Sequence, residues 1–345
     1  MRTLSLSAFL CFCVHAQDAT VNSYTQTNLT SDIPGFAAAT EPLLVNPWGL
    51  TRPSLATAHD AYWWAADQRT GVSTLYKPDG SFVPLVITIP SAGAGVASPA
   101  GAAFFQKNFV FASLDGTISQ WFAGTKPSPR GTGCAGCHTT SAVMMVNHSP
   151  NGAVYTGITE ATNSGGSAYY VANAAGGVEA FSTGTFAPIT LSSGAFLDPQ
   201  IPAGANPFGI QRVGTRIYVT FYNPAQGGGF VDAFDSTGKL VLRLQSGNWF
   251  AEPWGIAHAP AGFGKFSNAV LVGNVTSGQI AAFNSLTGRF LGFLEDSSGT
   301  VIANPGLWAI YFGAGNAESG PKTILYFAAG IDSYTHGLFG SIAAN

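Results

Sequence analysis

One short element occurs six times in this chain: a Gly, then residues of alternating character, then a large apolar residue five positions on. It reads Gly71-Val-Ser-Thr-Leu-Tyr76, Gly116-Thr-Ile-Ser-Gln-Trp121, Gly176-Gly-Val-Glu-Ala-Phe181, Gly229-Phe-Val-Asp-Ala-Phe234, Gly278-Gln-Ile-Ala-Ala-Phe283 and Gly337-Leu-Phe-Gly-Ser-Ile342. The glycines are 45 to 60 residues apart. A second element precedes each copy: Asn46-Pro-Trp-Gly-Leu50, Ser98-Pro-Ala-Gly-Ala102, Val154-Tyr-Thr-Gly-Ile158, Asn206-Pro-Phe-Gly-Ile210, Glu252-Pro-Trp-Gly-Ile256 and Leu307-Trp-Ala-Ile310. Between the two lies an apolar run, in most copies ending in Asp or Asn, such as Tyr62–Asp67 or Val270–Asn274. Self-similarity at a fixed period near 50 residues signals a radial or stacked array, in which each unit buries its faces against its neighbours.

Each repeat reads as three or four short strands of period two, separated by Gly, Asn and Asp turns. The chain lacks a convincing 3.6-residue apolar period. Four strands per unit make a propeller blade, so the fold expected is all-β: a six-bladed β-propeller of four-stranded antiparallel blades. The last repeat stops after its third strand at Ile342. Its fourth is expected from the N-terminal stretch Val21–Leu29, which alternates and would leave no open sheet edge.

The N-terminus reads as an address. After Met1-Arg2 an apolar run, Leu4 to Val14, leads to Val14-His15-Ala16, a small-residue site of the kind signal peptidase cuts. The expectation is a secretory signal over residues 1–16, a single propeller domain over 17–345, and a secreted or periplasmic, soluble product with no membrane span. Charged residues are only 9 % of the chain, with 14 Lys plus Arg spread along it and a net charge of −3. That leaves no basic stripe for phosphates, so nucleic acid is not an expected partner; the ligand or protein partner is left open.

The runs Asn-Pro-Trp-Gly-Leu, Tyr-Thr-Gly-Ile, Asn-Pro-Phe-Gly-Ile and Glu-Pro-Trp-Gly-Ile, the stretch from Ala259 to Asn274 and the ending His336–Ile342 resemble a family of exported bacterial β-propeller proteins of unknown function, some of whose members carry a PEP-CTERM sorting tail. At superfamily level the chain is similar to NHL and gluconolactonase-like propellers. The resemblance implies the fold more firmly than any activity. The sequence departs from it in a Cys-containing insertion, about 123–141, in the second repeat.

That insertion carries the sharpest motif, Cys134-Ala-Gly-Cys137-His138. With Cys11 and Cys13 lost in the signal, these are the only cysteines expected in the mature chain. In an exported protein this spacing lets two thiols form thioethers to haem vinyl groups while the adjacent His ligates the iron, giving haem c. Met144, Met145 and His148 stand nearby as distal ligands. A local Cys134–Cys137 disulfide and a Cys₂His₂ zinc site with His138 and His148 use the same residues. The motif sits between the third and fourth strands of its blade, away from the mouth.

The mouth offers a second candidate. Asn46, Asn206, Glu252 and Asn304 each precede a Pro at the entrance to an innermost strand, with Ser98 in the equivalent place. Pseudo-symmetry would gather their oxygens around the channel, where Ca²⁺ takes carboxylate and amide oxygens. Gluconolactonase-like propellers hold a catalytic metal with such a set. Asn-Pro and Glu-Pro are also ordinary punctuation before a strand. The aromatics Trp48, Tyr155, Phe208, Trp254 and Trp308 are expected to pack between blades, and Asp67, Asp115, Asn173, Asn223 and Asn274 to shape turns.

No GxSxG elbow, HExxH or GxxxxGK[ST] loop occurs. The leading expectation is therefore a non-catalytic binding or interaction module that carries haem c at the CxxCH loop. The alternative is a Ca²⁺-dependent hydrolase or lactonase-like enzyme at the mouth.

Overall fold

The computed structural model describes residues 21–53, 61–122, 140–163 and 165–345. Strands β1 (Tyr24–Ser31) and β2 (Ala39–Thr40) open the chain. Blade 1 follows as β3 (Pro47–Thr51), β4 (Trp63–Asp67), β5 (Val72–Tyr76) and β6 (Phe82–Thr88), and blade 2 as β7 (Pro99–Phe105), β8 (Asn108–Ser113), β9 (Thr117–Phe122) and β10 (Val143–Asn147). Blade 3 is β11 (Tyr155–Asn163), β12 (Gly166–Asn173), β13 (Val178–Ser182) and β14 (Pro188–Ile189); blade 4 is β15 (Asn206–Val213), β16 (Arg216–Tyr222), β17 (Phe230–Phe234) and β18 (Leu240–Arg243). Blade 5 comprises β19 (Pro253–His258), β20 (Ala269–Asn274), β21 (Ile280–Asn284) and β22 (Phe290–Phe293), and blade 6 comprises β23 (Leu307–Phe312), β24 (Ile324–Ala329) and β25 (Leu338–Ala344). Within each blade, consecutive strands pair antiparallel. The fold is the six-bladed propeller that the repeats imply.

Strand β1 completes blade 6, pairing antiparallel with β25 from Tyr24 opposite Ala344 to Ser31 opposite Leu338, with a bulge between Asn28 and Thr30. The closing strand thus begins and ends slightly later than the Val21–Leu29 read from alternation. Parallel pairing of β2 with β1 extends this sheet to five strands. Tyr24 anchors the closure. Its ring packs on Phe263 and Phe266 at 4.9 and 6.2 Å between centroids, and its hydroxyl donates to Phe263 O and accepts from Phe266 N–H.

Blades hold one another through the faces of their middle strands. In β4 all five residues are buried, because each face meets a neighbouring blade. Trp63 packs against Tyr326 and Phe339 of blade 6, and Trp64 stacks on Phe109 of blade 2 at 3.7 Å. Full burial of one such apolar side chain contributes about 1.5–3 kcal/mol. Outer strands face solvent and bury far less, as in β6.

The innermost strands share one irregularity. Each carries a bulge at the same point, just after its entrance: between Pro47 and Leu50, Pro99 and Gly101, Tyr155 and Gly157, Pro207 and Ile210, Pro253 and Ile256, and Leu307 and Ile310. Five of the six place Gly there, and close approach of the neighbouring strand demands it. A Cβ on Gly209 would lie 2.3 Å from Trp254 O, and one on Gly255 2.3 Å from Trp308 O. A bulge re-aims the side chain beside it, and that decides what the channel contains.

Candidate functional site

The residue immediately before the bulge Gly, or before Ala309 in blade 6, turns into the central channel. In chain order these residues are Trp48, Ala100, Phe208, Trp254 and Trp308, which share one cluster; Thr156 stands at the equivalent position of blade 3. Trp48 stacks on Trp308 with centroids 3.7 Å apart, and lies 6.2 Å from Phe208 and 6.5 Å from Trp254. The contacts of Trp48 with Phe208 and Trp254, and of Phe208 with Trp308, join blades that are not neighbours and can only be made through the centre. The expectation that these aromatics pack between blades is therefore corrected for four of the five. Tyr155 lies in the cluster between blades 2 and 3, with Ile118 and Val146, and Trp254 also borders a cluster shared by blades 1 and 6. The signal was present in the sequence: Tyr155 stands two residues before its Gly, the other four one residue before a Gly or Ala.

Above this aromatic floor, at the end where the inner strands begin, opens a cavity of about 500 Å³. Phe208, Tyr222 and Tyr334 form walls over the Trp48–Trp308 pair, and the polar lining includes Asn46, Gln68, Arg69, Asn206 and Glu252. Phe208 packs on Tyr222 at 5.5 Å and Trp308 on Tyr334 at 5.6 Å. Several lining residues hold backbone angles that L-residues avoid. Asn46 has φ 49° and Glu252 φ 62°, and Asp332, Ser333 and Tyr334 form a consecutive left-handed run at 50°, 54° and 67°. For residues other than Asn and Asp, such as Glu252 and Tyr334, this costs about 1–2 kcal/mol. Strain of this kind persists only where the surroundings over-determine it, and it gathers at ligand sites.

Burial raises the Glu252 carboxyl above its ordinary range, partly offset by the hydrogen bond it accepts from Thr276 Oγ1 at 2.8 Å. The Tyr222 and Tyr334 phenols are also pushed up, first by burial and then by the nearby Glu252 charge.

Of the four oxygen donors expected at the mouth, Asn46, Asn206 and Glu252 line this cavity and Asn304 does not. Asn304 exchanges two amide hydrogen bonds with Gln26 of the closing strand, at 2.8 and 2.9 Å. It precedes Trp308 by four residues, whereas Asn46, Asn206 and Glu252 precede their channel aromatics by two, so pseudo-symmetry never placed it with them. The Asn46 amide is spent within the protein: Oδ1 accepts from Trp308 Nε1 at 2.9 Å and Nδ2 donates to Gln68 Oε1 at 2.8 Å. What is left, Asn206 and Glu252, falls short of the six to eight oxygens that Ca²⁺ takes, and the donor set does not fit that ion. Among the described residues no group of three or more His, Cys, Asp or Glu side chains is placed to hold a metal.

Cys134, Cys137 and His138 lie outside the described residues. The insertion that carries them joins β9 to β10, the third and fourth strands of blade 2. His148 lies beyond the far end of β10, where Nδ1 is 2.7 Å from the Tyr155 hydroxyl and 3.1 Å from Glu179 Oε2. Tyr155 donates to that same oxygen at 2.7 Å, and Asn173 Nδ2 donates to Glu179 Oε1 at 2.7 Å. These contacts tie blade 2 to blade 3.

The turn formers divide into two kinds, since Asp115 Oδ2 accepts from the distant Ala92 N–H and Asn274 Oδ1 from the distant Ala251 N–H. Asn173 and Asn223 accept from the N–H two residues on, as turn residues do. Asp67 is fully buried and binds the Thr74 N–H and hydroxyl instead, and burial lifts its carboxyl well above the usual range. Among the described residues no helix is long and apolar enough to cross a membrane.

No family model matches the chain. Uncharacterized protein L690 of Acanthamoeba polyphaga mimivirus is 27 % identical over 331 residues, covering 89 % of this chain and 82 % of its own. Uncharacterized protein R648 of the same virus is 26 % identical over 336 residues, covering 91 % and 78 %. Among solved structures, a streptogramin B lyase superposes with a TM-score of 0.50 at 12 % identity, covering 93 % of this chain and 98 % of its own. A structural-genomics protein of unknown function from Bacteroides thetaiotaomicron gives 0.57 at 10 %, covering 93 % and 76 %. At these identities the structural likeness is one of fold, a β-propeller. The relatives named are viral and lend no support to membership in the bacterial family that the motifs resemble.

Proposed function

We propose that this protein is a binding module whose ligand occupies the aromatic cavity at the mouth of the propeller. One observation carries the reading: the floor and walls of the cavity are aromatic, and two residues lining it, Glu252 and Tyr334, are held in costly backbone conformations. A concave, mostly apolar pocket with a few polar groups is the usual form of a small-molecule site. The test is a thermal-shift and tryptophan-fluorescence screen of the full chain against small molecules, repeated on Tyr222→Ala. Ligands that stabilise the parent and fail on the variant support the reading. Ligands indifferent to Tyr222 and also to Tyr334→Ala overturn it.

The CxxCH loop adds a second proposal, haem c attached through Cys134 and Cys137 with His138 as the iron ligand. Its support is the motif itself and an N-terminus of secretory type. His148 Nδ1 is held by Tyr155 and Glu179, the arrangement that orients an imidazole to ligate through Nε2. Protein made with a cytochrome-maturation system is then red and heavier by one haem, and its chain begins after Ala16, as in an exported propeller family. A colourless product two hydrogen atoms lighter than the reduced chain, oxidised by the export compartment, means the Cys134–Cys137 disulfide instead. The Ca²⁺-dependent hydrolase reading is not carried forward, since the four oxygens do not converge.

A further inference from the structure

The chemistry that suits the mouth follows from what its lining has left to offer. The Asn46 amide is committed to Trp308 and Gln68, Gln68 Nε2 to Ser98 Oγ at 3.3 Å, and the Trp254 N–H to Thr156 O at 3.0 Å. The free resources of the lining are ring faces, the Asn206 amide, the Tyr222 and Tyr334 hydroxyls and two charges of opposite sign. The faces of Phe208, Tyr222, Trp308 and Tyr334 carry the negative side of an aromatic quadrupole, which attracts a cation, most strongly one with little water to lose. Glu252 adds a half-buried negative charge to the same space, and its Oε1 has no partner among the described residues.

Arg69 supplies the opposite sign. Its Nε donates to Tyr334 O at 2.5 Å, and its terminal nitrogens have no partner among the described residues. Tyr334 therefore ties the two charges together: its backbone carbonyl holds Arg69 and its phenol lies in the field of Glu252. A bare cation would meet Arg69 and a bare anion would meet Glu252. A ligand bearing both charges satisfies both.

Building on the reading of this cavity as a ligand site, we propose that its ligand is a zwitterion, with an alkylated ammonium packed against the aromatic faces beside Glu252 and an anionic group, phosphate or carboxylate, held by Arg69. A primary ammonium suits the ring faces less well, because it would forfeit strong hydration against them.

Calorimetry on the full chain with phosphocholine, choline and 3,3-dimethylbutanol, the neutral isostere of choline, tests this. Phosphocholine is expected to bind, choline more weakly, and the isostere not measurably. Glu252→Gln should weaken phosphocholine tenfold or more. Arg69→Gln should bring phosphocholine down to the level of choline. Circular dichroism of each variant checks that the propeller is intact. If the isostere binds as tightly as choline and Tyr222→Ala abolishes both, the cavity is a ligand site but the charge proposal is overturned. Phosphocholine binding that neither charge substitution alters overturns it too. Absence of heat with all three probes overturns the zwitterion while leaving the wider screen of the cavity to its own result.

Discussion

The indole N–H of Trp308 donates to Asn46 Oδ1 at 2.9 Å, across the seam where the last blade meets the first. Both groups are buried, so neither can turn to water if the other is removed. Asn46→Ala leaves the indole N–H unsatisfied and keeps the strained φ of 49°, at a cost of about 1–3 kcal/mol. Asn46→Gly loses the same bond but relieves the backbone. Urea unfolding of both variants should therefore place the Gly form above the Ala form. Equal midpoints would mean that the backbone angle carries no strain.

The closing strand is the next lever. Tyr24 is 1 % exposed, and its truncation empties a site bounded by Phe263 and Phe266. Tyr24→Ala is expected to cost about 3–5 kcal/mol, as large aromatic truncations in cores do. Removing residues 17–30 should cost more, since it strips most of β1 from β25 and bares an edge. A melting temperature unchanged by that deletion would contradict the paired register from Tyr24 to Ser31.

The blade count, the order of strands and the closure are legible in the sequence because glycines and Asn-Pro or Glu-Pro entrances mark strand ends at regular spacing. The contents of the channel are not legible in the same way. Alternation assigns Trp48 and Trp254 to a blade face, and the bulge beside Gly49 and Gly255 cancels that assignment. Asn304 misleads for the related reason that Asn-Pro recurs there out of step with the bulge. Asp67 looks like a turn residue, and only the tertiary burial of β4 turns its carboxyl toward Thr74. Local pattern specifies elements; which faces meet depends on one extra residue per inner strand.

The glycines at those bulges make a graded test. A Cβ at Gly209 would meet Trp254 O at 2.3 Å and Thr220 Oγ1 at 3.0 Å, and the backbone atom cannot move without displacing blade 5. Gly209→Ala should cost at least about 1–3 kcal/mol, the usual penalty for overpacking. Blade 6 already has Ala309 at this point, so Ala309→Gly should cost only about 0.5–1 kcal/mol, from lost backbone restriction. Denaturant titration of the pair checks the order. A neutral Gly209→Ala would show that the inner strands are not in close backbone contact.

Asp232 sets a pH dependence of definite sign. It is buried in β17, opposite Arg243 of β18, whose guanidinium instead holds Asp198 through Nε and Nη2. Burial, followed by the charge of Asp198 and a hydrogen bond to it, raises the Asp232 carboxyl from 3.8 to about 8, while Arg243 lowers that of Asp198. The folded protein thus keeps a proton on Asp232 that the unfolded chain releases at ordinary acidity. Its contribution to stability is complete below about pH 4 and is lost as pH rises toward 8. Asp67, with its carboxyl raised in the same direction, adds to the trend. Asp232→Asn keeps the size and a donor toward Asp198 but has no proton to lose. It should stabilise the protein by about 1–3 kcal/mol at pH 9 and change little at pH 5. Urea unfolding from pH 5 to 9 measures this, and parallel stability curves for parent and variant would show that Asp232 is ionised in the folded protein throughout.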